Sequence, residues 1–240
     1  MSQIKYVVPL ESNPEVFSSF AHALGLTNSF TFMDIYSLTD PDLIGFVPTP
    51  VRAIILLFPI NEYFEKSKEK DSETVEGSKN PVWFKQTIKN ACGLYALLHS
   101  LSNNQDLLEE GSDILNFFKN NSNPNAGFFD NKTDDFIVGL SQQYSQNFET
   151  GQTEAPAAED DVNLHFVTFI EKNGNIYELD GRRPKGAFLL GPVQSKSADV
   201  DDRNLLGEKI IADRVQWYMD NADNQNKLNF SLLGLAPAFD

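Results

Sequence analysis

The chain of 240 residues has a single cysteine, Cys92, so no internal disulfide can form. Histidine is nearly as scarce, with His22, His99 and His165 the only three. A general base working near neutral pH therefore has few candidates. Basic residues are outnumbered: Lys+Arg 19 against Asp+Glu 34 give a formal charge of −15 and a pI near 4.5. That field opposes nucleic acid and anionic lipid and favours a basic partner, although acidity is also a common solubility device. No stretch approaches the ~20 apolar residues of a membrane span, and Met1 Ser2 Gln3 Ile4 Lys5 Tyr6 does not lead into a secretion signal. A cytoplasmic protein with no membrane segment is expected, for which the sequons at Asn120, Asn131 and Asn229 carry no meaning. Neither an internal repeat nor a clear linker divides the chain, and one domain over 1–240 is expected.

What is present suits a globular interior: 41% hydrophobic, 12% aromatic, with 19 Phe. Residues 6–10 read as a short strand. Asn13 Pro14 then supplies an N-cap and first helical position ahead of Val16, Phe17, Phe20, Ala21 and Leu24 at helical spacing. Residues 30–36 read as a strand, and 51–58, apolar on both faces, as a central strand covered on two sides. Residues 61–81 are charge-rich with few apolar anchors and read as a mobile loop. Residues 149–163, with five acids and no Lys or Arg, read as an exposed loop. Helical patterns span 114–118 behind a Ser112 cap, 136–148 and 206–219. Short strands follow the pattern at 187–191 and 228–232. Asn173 Gly174, the strongest short hairpin signal, joins strands 164–170 and 176–179.

A lone cysteine is ordinarily a small buried hydrophobe. Here Asn90 as N-cap would place Cys92 in the first turn of a helix, where the positive helix end favours thiolate. Leu94, Leu97, Leu98 and Leu101 define a buried stripe. At about 100° per residue Cys92 lies about 160° from Leu94, turned toward solvent or a cleft. His99, seven residues along the same helix and about 10 Å away by helical rise, is too far to hydrogen-bond Cys92. His22 falls on the polar face of the first helix, which leaves His165. A two-residue turn faces Lys172 with Asn175, and the same register sets His165 opposite Arg182 with Asp180 diagonal on its face. Diagonal partners are about 7–8 Å apart at the backbone, within reach of an imidazole and a carboxylate. Such an Asp can fix the ring tautomer; the alternative is a cross-strand polar pair. Gln86, six residues before Cys92, is a candidate to join the Cys92 N–H in holding an oxyanion, and otherwise a surface glutamine.

Gln86 Thr87 Ile88 Lys89 Asn90 Ala91 Cys92 Gly93 resembles the nucleophile motif of the ubiquitin C-terminal hydrolases, which are papain-like cysteine deubiquitinases. Leu164 His165 Phe166 resembles their histidine strand and Tyr177 Glu178 Leu179 Asp180 Gly181 Arg182 their aspartate strand. Residues 9–16, 53–59 and 149–156 are similar to the family as well, so the resemblance covers nearly the whole chain. It is nearest to the short fungal members made of the catalytic domain alone. The resemblance implies an α+β papain-like fold, a central, mostly antiparallel sheet between helices with a knotted backbone. It implies Cys92 as nucleophile, His165 as base and then acid, Asp180 as its orienting partner and Gln86 as oxyanion donor. Val8, Pro9, Leu10, Glu11, Ser12, Asn13 and Pro14 correspond to a ubiquitin-contacting stretch. Residues 149–163 correspond to a crossover loop over the active site, in which Gly151, Gln152, Thr153, Glu154, Ala155 and Pro156 would meet substrate.

The implied protein is a monomer, without metal or organic cofactor, that cleaves esters, thioesters, amides or peptide bonds at the C-terminal glycine of ubiquitin. Ubiquitin's tail is basic before its final glycine pair, which suits the net −15. Two other readings stay open: the same chemistry on a ubiquitin-like modifier, and a non-catalytic ubiquitin-binding module. A redox sensor at Cys92 lacks a resolving cysteine within the chain.

Overall fold

The computed structural model describes residues 7, 9–70, 81–121, 131–143, 163–194, 203–223 and 228–239. Among these, six strands form one antiparallel sheet in the order β1 (Phe30–Asp34), β6 (Ser231–Pro237), β2 (Ala53–Pro59), β3 (Leu164–Lys172), β4 (Asn175–Leu179), β5 (Phe188–Pro192). Helices α1 (Pro14–Ala23), α4 (Cys92–Ser102), α5 (Asp113–Asn120) and α6 (Asn131–Gln143) contribute to the core on one face. The core on the other face takes in α3 (Glu62–Lys70) and α7 (Lys209–Asp220), and the short α2 (Pro41–Ile44) packs at its margin. The architecture is α+β, a sheet between two helical layers.

Strand alternation explains the continuous apolar run of β2. Ala53 and Ile55 enter the core with α1 and α4, while Ile54, Leu56 and Phe58 enter the core with α3 and α7. The same division places Phe166 and Ile170 of β3 on the first face and Val167 and Phe169 on the second. Capping follows the sequence in α1, where Asn13 Oδ1 accepts from the Glu15 N–H at 2.9 Å and Pro14 opens the helix. Asn173 and Gly174 both have positive φ, 53° and 77°, as a two-residue hairpin turn of matching twist requires. The β3–β4 register runs from Lys172↔Asn175 to Thr168↔Leu179, as the turn predicts.

Three expectations are corrected. The charged segment 61–81 is not loop throughout, because Glu62–Lys70 is helix α3. One apolar anchor suffices there: Phe64 is 1% exposed, with its ring 5.4 Å from Phe58 and 5.2 Å from Tyr218. Asn61 caps the start by accepting from the Phe64 N–H; residues 71–80 lie outside the described residues. No strand forms at Val7, Pro9 and Leu10. Finally, burial on α4 is not confined to the leucine stripe. Every residue from Gly93 to Ser102 is buried, because the helix packs on β3 and β2 and against α1, and its leucine stripe is one side of an enclosed rod.

Candidate active site

Helix α4 begins at Cys92 after an Ala91 cap that offers no side-chain hydrogen bond. Asn90 is therefore not the N-cap; it stands one residue earlier in the left-handed region, φ 60°, which an Asn tolerates better than most residues. Cys92 occupies the first turn, half-buried. Its thiol is not lowered as the helix end alone would suggest. Burial pushes it up and the Asp180 charge adds to the rise, against hydrogen bonds with the Phe166 and Gly93 backbone and the charge of Arg182.

The bond with the Phe166 backbone sets Cys92 beside the residue after His165. His165 is 2% exposed, seated edge-on against Phe58, its cross-strand neighbour on β2. Its Nε2–H donates to Asp180 Oδ1 at 2.7 Å, and Asp180 is fully buried. Oδ1 also accepts the Arg182 N–H at 2.8 Å. The expected His165–Arg182 ladder pair does not form. The β3–β4 ladder stops at Thr168↔Leu179, although β3 stays paired with β2 as far as Leu164.

Residues 83–86 occupy that break. Trp83 Nε1 donates to the Asp180 carbonyl at 2.9 Å and the Gln86 N–H to the Gly181 carbonyl at 2.8 Å. Lys85 Nζ reaches the Arg183 carbonyl at 2.7 Å and that of Arg182 at 3.3 Å. The same segment is tied to α4: the Phe84 N–H donates to His99 Nε2 at 3.0 Å and the Thr87 N–H to the Tyr95 hydroxyl at 3.3 Å. Gln86 is thus held between the start of α4 and the aspartate turn. Its Nε2 spends one N–H on the Ile88 carbonyl, 3.1 Å away, and has a second to give. Its Oε1 is buried with no hydrogen-bond partner among the described residues. A buried acceptor left so costs about 1–3 kcal/mol, so this amide is not placed for stability.

The N-terminal stretch divides in two. Leu10 is 5% exposed and packs inward, so that a Cβ added to Gly93 would lie 2.8 Å from Leu10 Cβ. Asn13 is buried and spent on the α1 cap. Pro9, Glu11, Ser12 and Pro14 remain partly exposed, with Ser12 Oγ 2.7 Å from Ser231 Oγ. Val8 and the expected contacts Gly151 through Pro156 lie outside the described residues.

The other two histidines are used in the fold. His22 Nε2 donates to the Phe30 carbonyl at 2.8 Å. His99 is 1% exposed, stacked on Phe84, and burial lowers its pKa to about 4. Sequence reasoning weighed His99 only as a base and passed over Trp83, Lys85 and Gly181, because their contacts join segments almost a hundred residues apart. Also behind the site, Glu178 is fully buried with Arg183, Arg214 and Tyr218 around it. Among the described residues no group of three or more His, Cys, Asp or Glu side chains could hold a metal ion, and no helix is long and apolar enough to cross a membrane.

Comparison with known proteins agrees with this geometry. Residues 7–216 match the family model described as ubiquitin carboxyl-terminal hydrolase, family 1. The chain is 50% identical over 234 residues to the ubiquitin carboxyl-terminal hydrolase YUH1 of Saccharomyces cerevisiae, covering 96% of each. It is 34% identical to a probable ubiquitin carboxyl-terminal hydrolase of Dictyostelium discoideum, covering 95% of this chain and 87% of that protein. In fold it is similar to the catalytic domain of Trichinella spiralis UCH37 bound to ubiquitin vinyl methyl ester, with TM-score 0.70 and 21% identity over 97% of this chain and 96% of that one. The chain belongs to family 1 of the ubiquitin carboxyl-terminal hydrolases.

Proposed function

We propose that this protein is a monomeric thiol hydrolase that cleaves at the C-terminal glycine of ubiquitin. The observation that carries the mechanism is the buried His165–Asp180 pair, 2.7 Å apart, beside the first turn of the helix that bears the only cysteine. Because burial disfavours an isolated thiolate at Cys92, its proton needs a nearby acceptor. Asp180 engages Nε2 of His165, so Nδ1 is the nitrogen that takes the thiol proton, and the carboxylate stabilises the imidazolium that results.

The Cys92 sulfur attacks the glycine carbonyl, and its oxygen becomes an anion held by the Cys92 N–H and the second Gln86 Nε2–H. The intermediate collapses as His165 returns the proton to the leaving alcohol, thiol or amine, leaving a thioester. A water molecule gives its proton to His165 and attacks the thioester; ubiquitin's carboxyl group and the Cys92 thiol are then restored. The net charge of −15 favours approach of the basic ubiquitin tail.

The test is intact mass after incubation with ubiquitin carrying a C-terminal vinyl ester, alongside hydrolysis of a ubiquitin C-terminal amide. One adduct of one ubiquitin, absent from Cys92→Ala, and turnover lost in the same variant are the expected results. A Cys92→Ala protein that hydrolyses the amide at the parent rate overturns the mechanism.

A further inference from the structure

The turn after Asp180 and the segment bearing Gln86 are docked more closely than side chains other than hydrogen would permit. A Cβ placed on Gly181 would lie 2.9 Å from Gln86 Cβ, closer than real Cβ atoms come, with Gln86 N at 3.2 Å and the Phe84 carbonyl oxygen at 3.3 Å also tight. Gly181 is buried there, and its carbonyl accepts the Gln86 N–H at 2.8 Å. Its neighbours extend the seam. Donors from 83–86 take the four consecutive carbonyls of residues 180–183, with Lys85 Nζ closing the far end on Arg182 and Arg183. Such a seam holds Gln86, whose amide must reach a carbonyl oxygen, against the turn that follows Asp180.

We propose that Gly181 and Lys85 are positioning residues for the oxyanion amide: the missing side chain of Gly181 and the clasp of Lys85 hold Gln86 against the aspartate turn. This rests on the donor role assigned to Gln86 above. Both act through Gln86. The turn conformation itself does not demand glycine, since Gly181 does not adopt the left-handed conformation; the constraint is the approach of Gln86 and Phe84. A misplacement of one ångström at an oxyanion donor is costly because such donors act only through fixed geometry.

Two reactions separate this role from a general loss of structure. Hydrolysis of a ubiquitin C-terminal amide builds an oxyanion. Alkylation of Cys92 by iodoacetamide, in which sulfur displaces iodide, does not, yet it needs the same thiol and His165. In the full chain, Gly181→Ala should lower kcat roughly 10- to 100-fold, with KM and the alkylation rate within about twofold of the parent. Lys85→Met, which adds no atom to the seam, should lower kcat several-fold in the same pattern. A Gly181→Ala/Gln86→Ala protein should be no slower than Gln86→Ala alone.

Parent-like kcat in Gly181→Ala overturns the proposal, as do losses that multiply in the double variant or alkylation that falls along with hydrolysis. If Gly181→Ala does not fold, Lys85→Met decides, and a parent-like kcat there overturns it. Gln86→Ala turning over at the parent rate overturns the donor role itself. An impaired Gln86→Ala beside a parent-like Gly181→Ala overturns only the positioning role.

Discussion

Glu178 and Asp180 are buried carboxylates two residues apart, one near the end of β4 and one just past it, each 0% exposed. Their surroundings give them different work. Glu178 Oε1 accepts from Arg183 Nη2 at 2.7 Å and the Tyr218 hydroxyl at 3.0 Å, and Oε2 accepts from Arg214 Nε at 2.6 Å. The two guanidinium charges hold its pKa down at about 2 despite burial. Arg183 and Arg214 lie over Phe188, and Arg214 also over Trp217, so the network binds β4, β5 and α7 into one piece. Asp180 has a titratable imidazole where Glu178 has guanidiniums that never release a proton. Equal burial therefore says little about role; the partner decides whether a carboxylate can support proton transfer by its neighbour.

The widest separation between the two positions should come from neutralising Asp180. Asp180→Asn keeps the shape but can hold His165 in the wrong tautomer, and kcat should fall on the order of 10³–10⁴-fold. Its melting temperature should move less than that of Glu178→Gln. The latter leaves two buried guanidiniums facing a neutral amide, at a cost of about 3–5 kcal/mol. For a chain of this size that is roughly 6–15 °C in melting temperature. Turnover of the folded protein, measured well below the transition, should stay within about fivefold of the parent. Thermal unfolding and steady-state kinetics on both variants check the contrast. If Glu178→Gln loses turnover as severely as Asp180→Asn, the division between anchor and catalytic partner fails.

Several parts of this arrangement were legible in the sequence, for local reasons. The hairpin register followed from Asn173 Gly174, and it put Asp180 within reach of His165 even though the ladder ends before them. The two-sided burial of β2 followed from an unbroken apolar run. What was not legible depends on distant segments. The break between β3 and β4 is made by donors at 83–86, and nothing in residues 164–183 announces it. Helix α3 was hidden because Phe64 is the one fully buried side chain among its described residues. The enclosure of α4 was hidden because its non-leucine residues are small or carry buried hydrogen bonds, such as Ser100 to the Ala96 carbonyl.

A second pair of residues sharpens the comparison, this time in histidines. His165 has a carboxylate partner, which suits a ring that must carry charge; His99 accepts a backbone N–H from Phe84 at 3.0 Å, which only a neutral ring can do. Burial lowers His99 from an ordinary 6.5 to about 4. The folded protein thus binds its proton later than the unfolded chain does as pH falls. The stabilisation is full well above pH 6.5 and is lost progressively as pH drops through 6.5 toward 4, by roughly 2–3 kcal/mol at pH 4.5. Glu178 acts in a lower window, between its ordinary 4.5 and about 2, so the two contributions separate on the pH axis. His99→Gln, whose amide oxygen can accept the same N–H without titrating, should be less stable than the parent at pH 7. It should nevertheless lose less stability between pH 6.5 and 4.5, by about 2 kcal/mol, when denaturant unfolding is followed at each pH. Parallel pH–stability curves for the two proteins would mean that His99 takes up its proton in the folded state, and the contrast with His165 would then have to be abandoned.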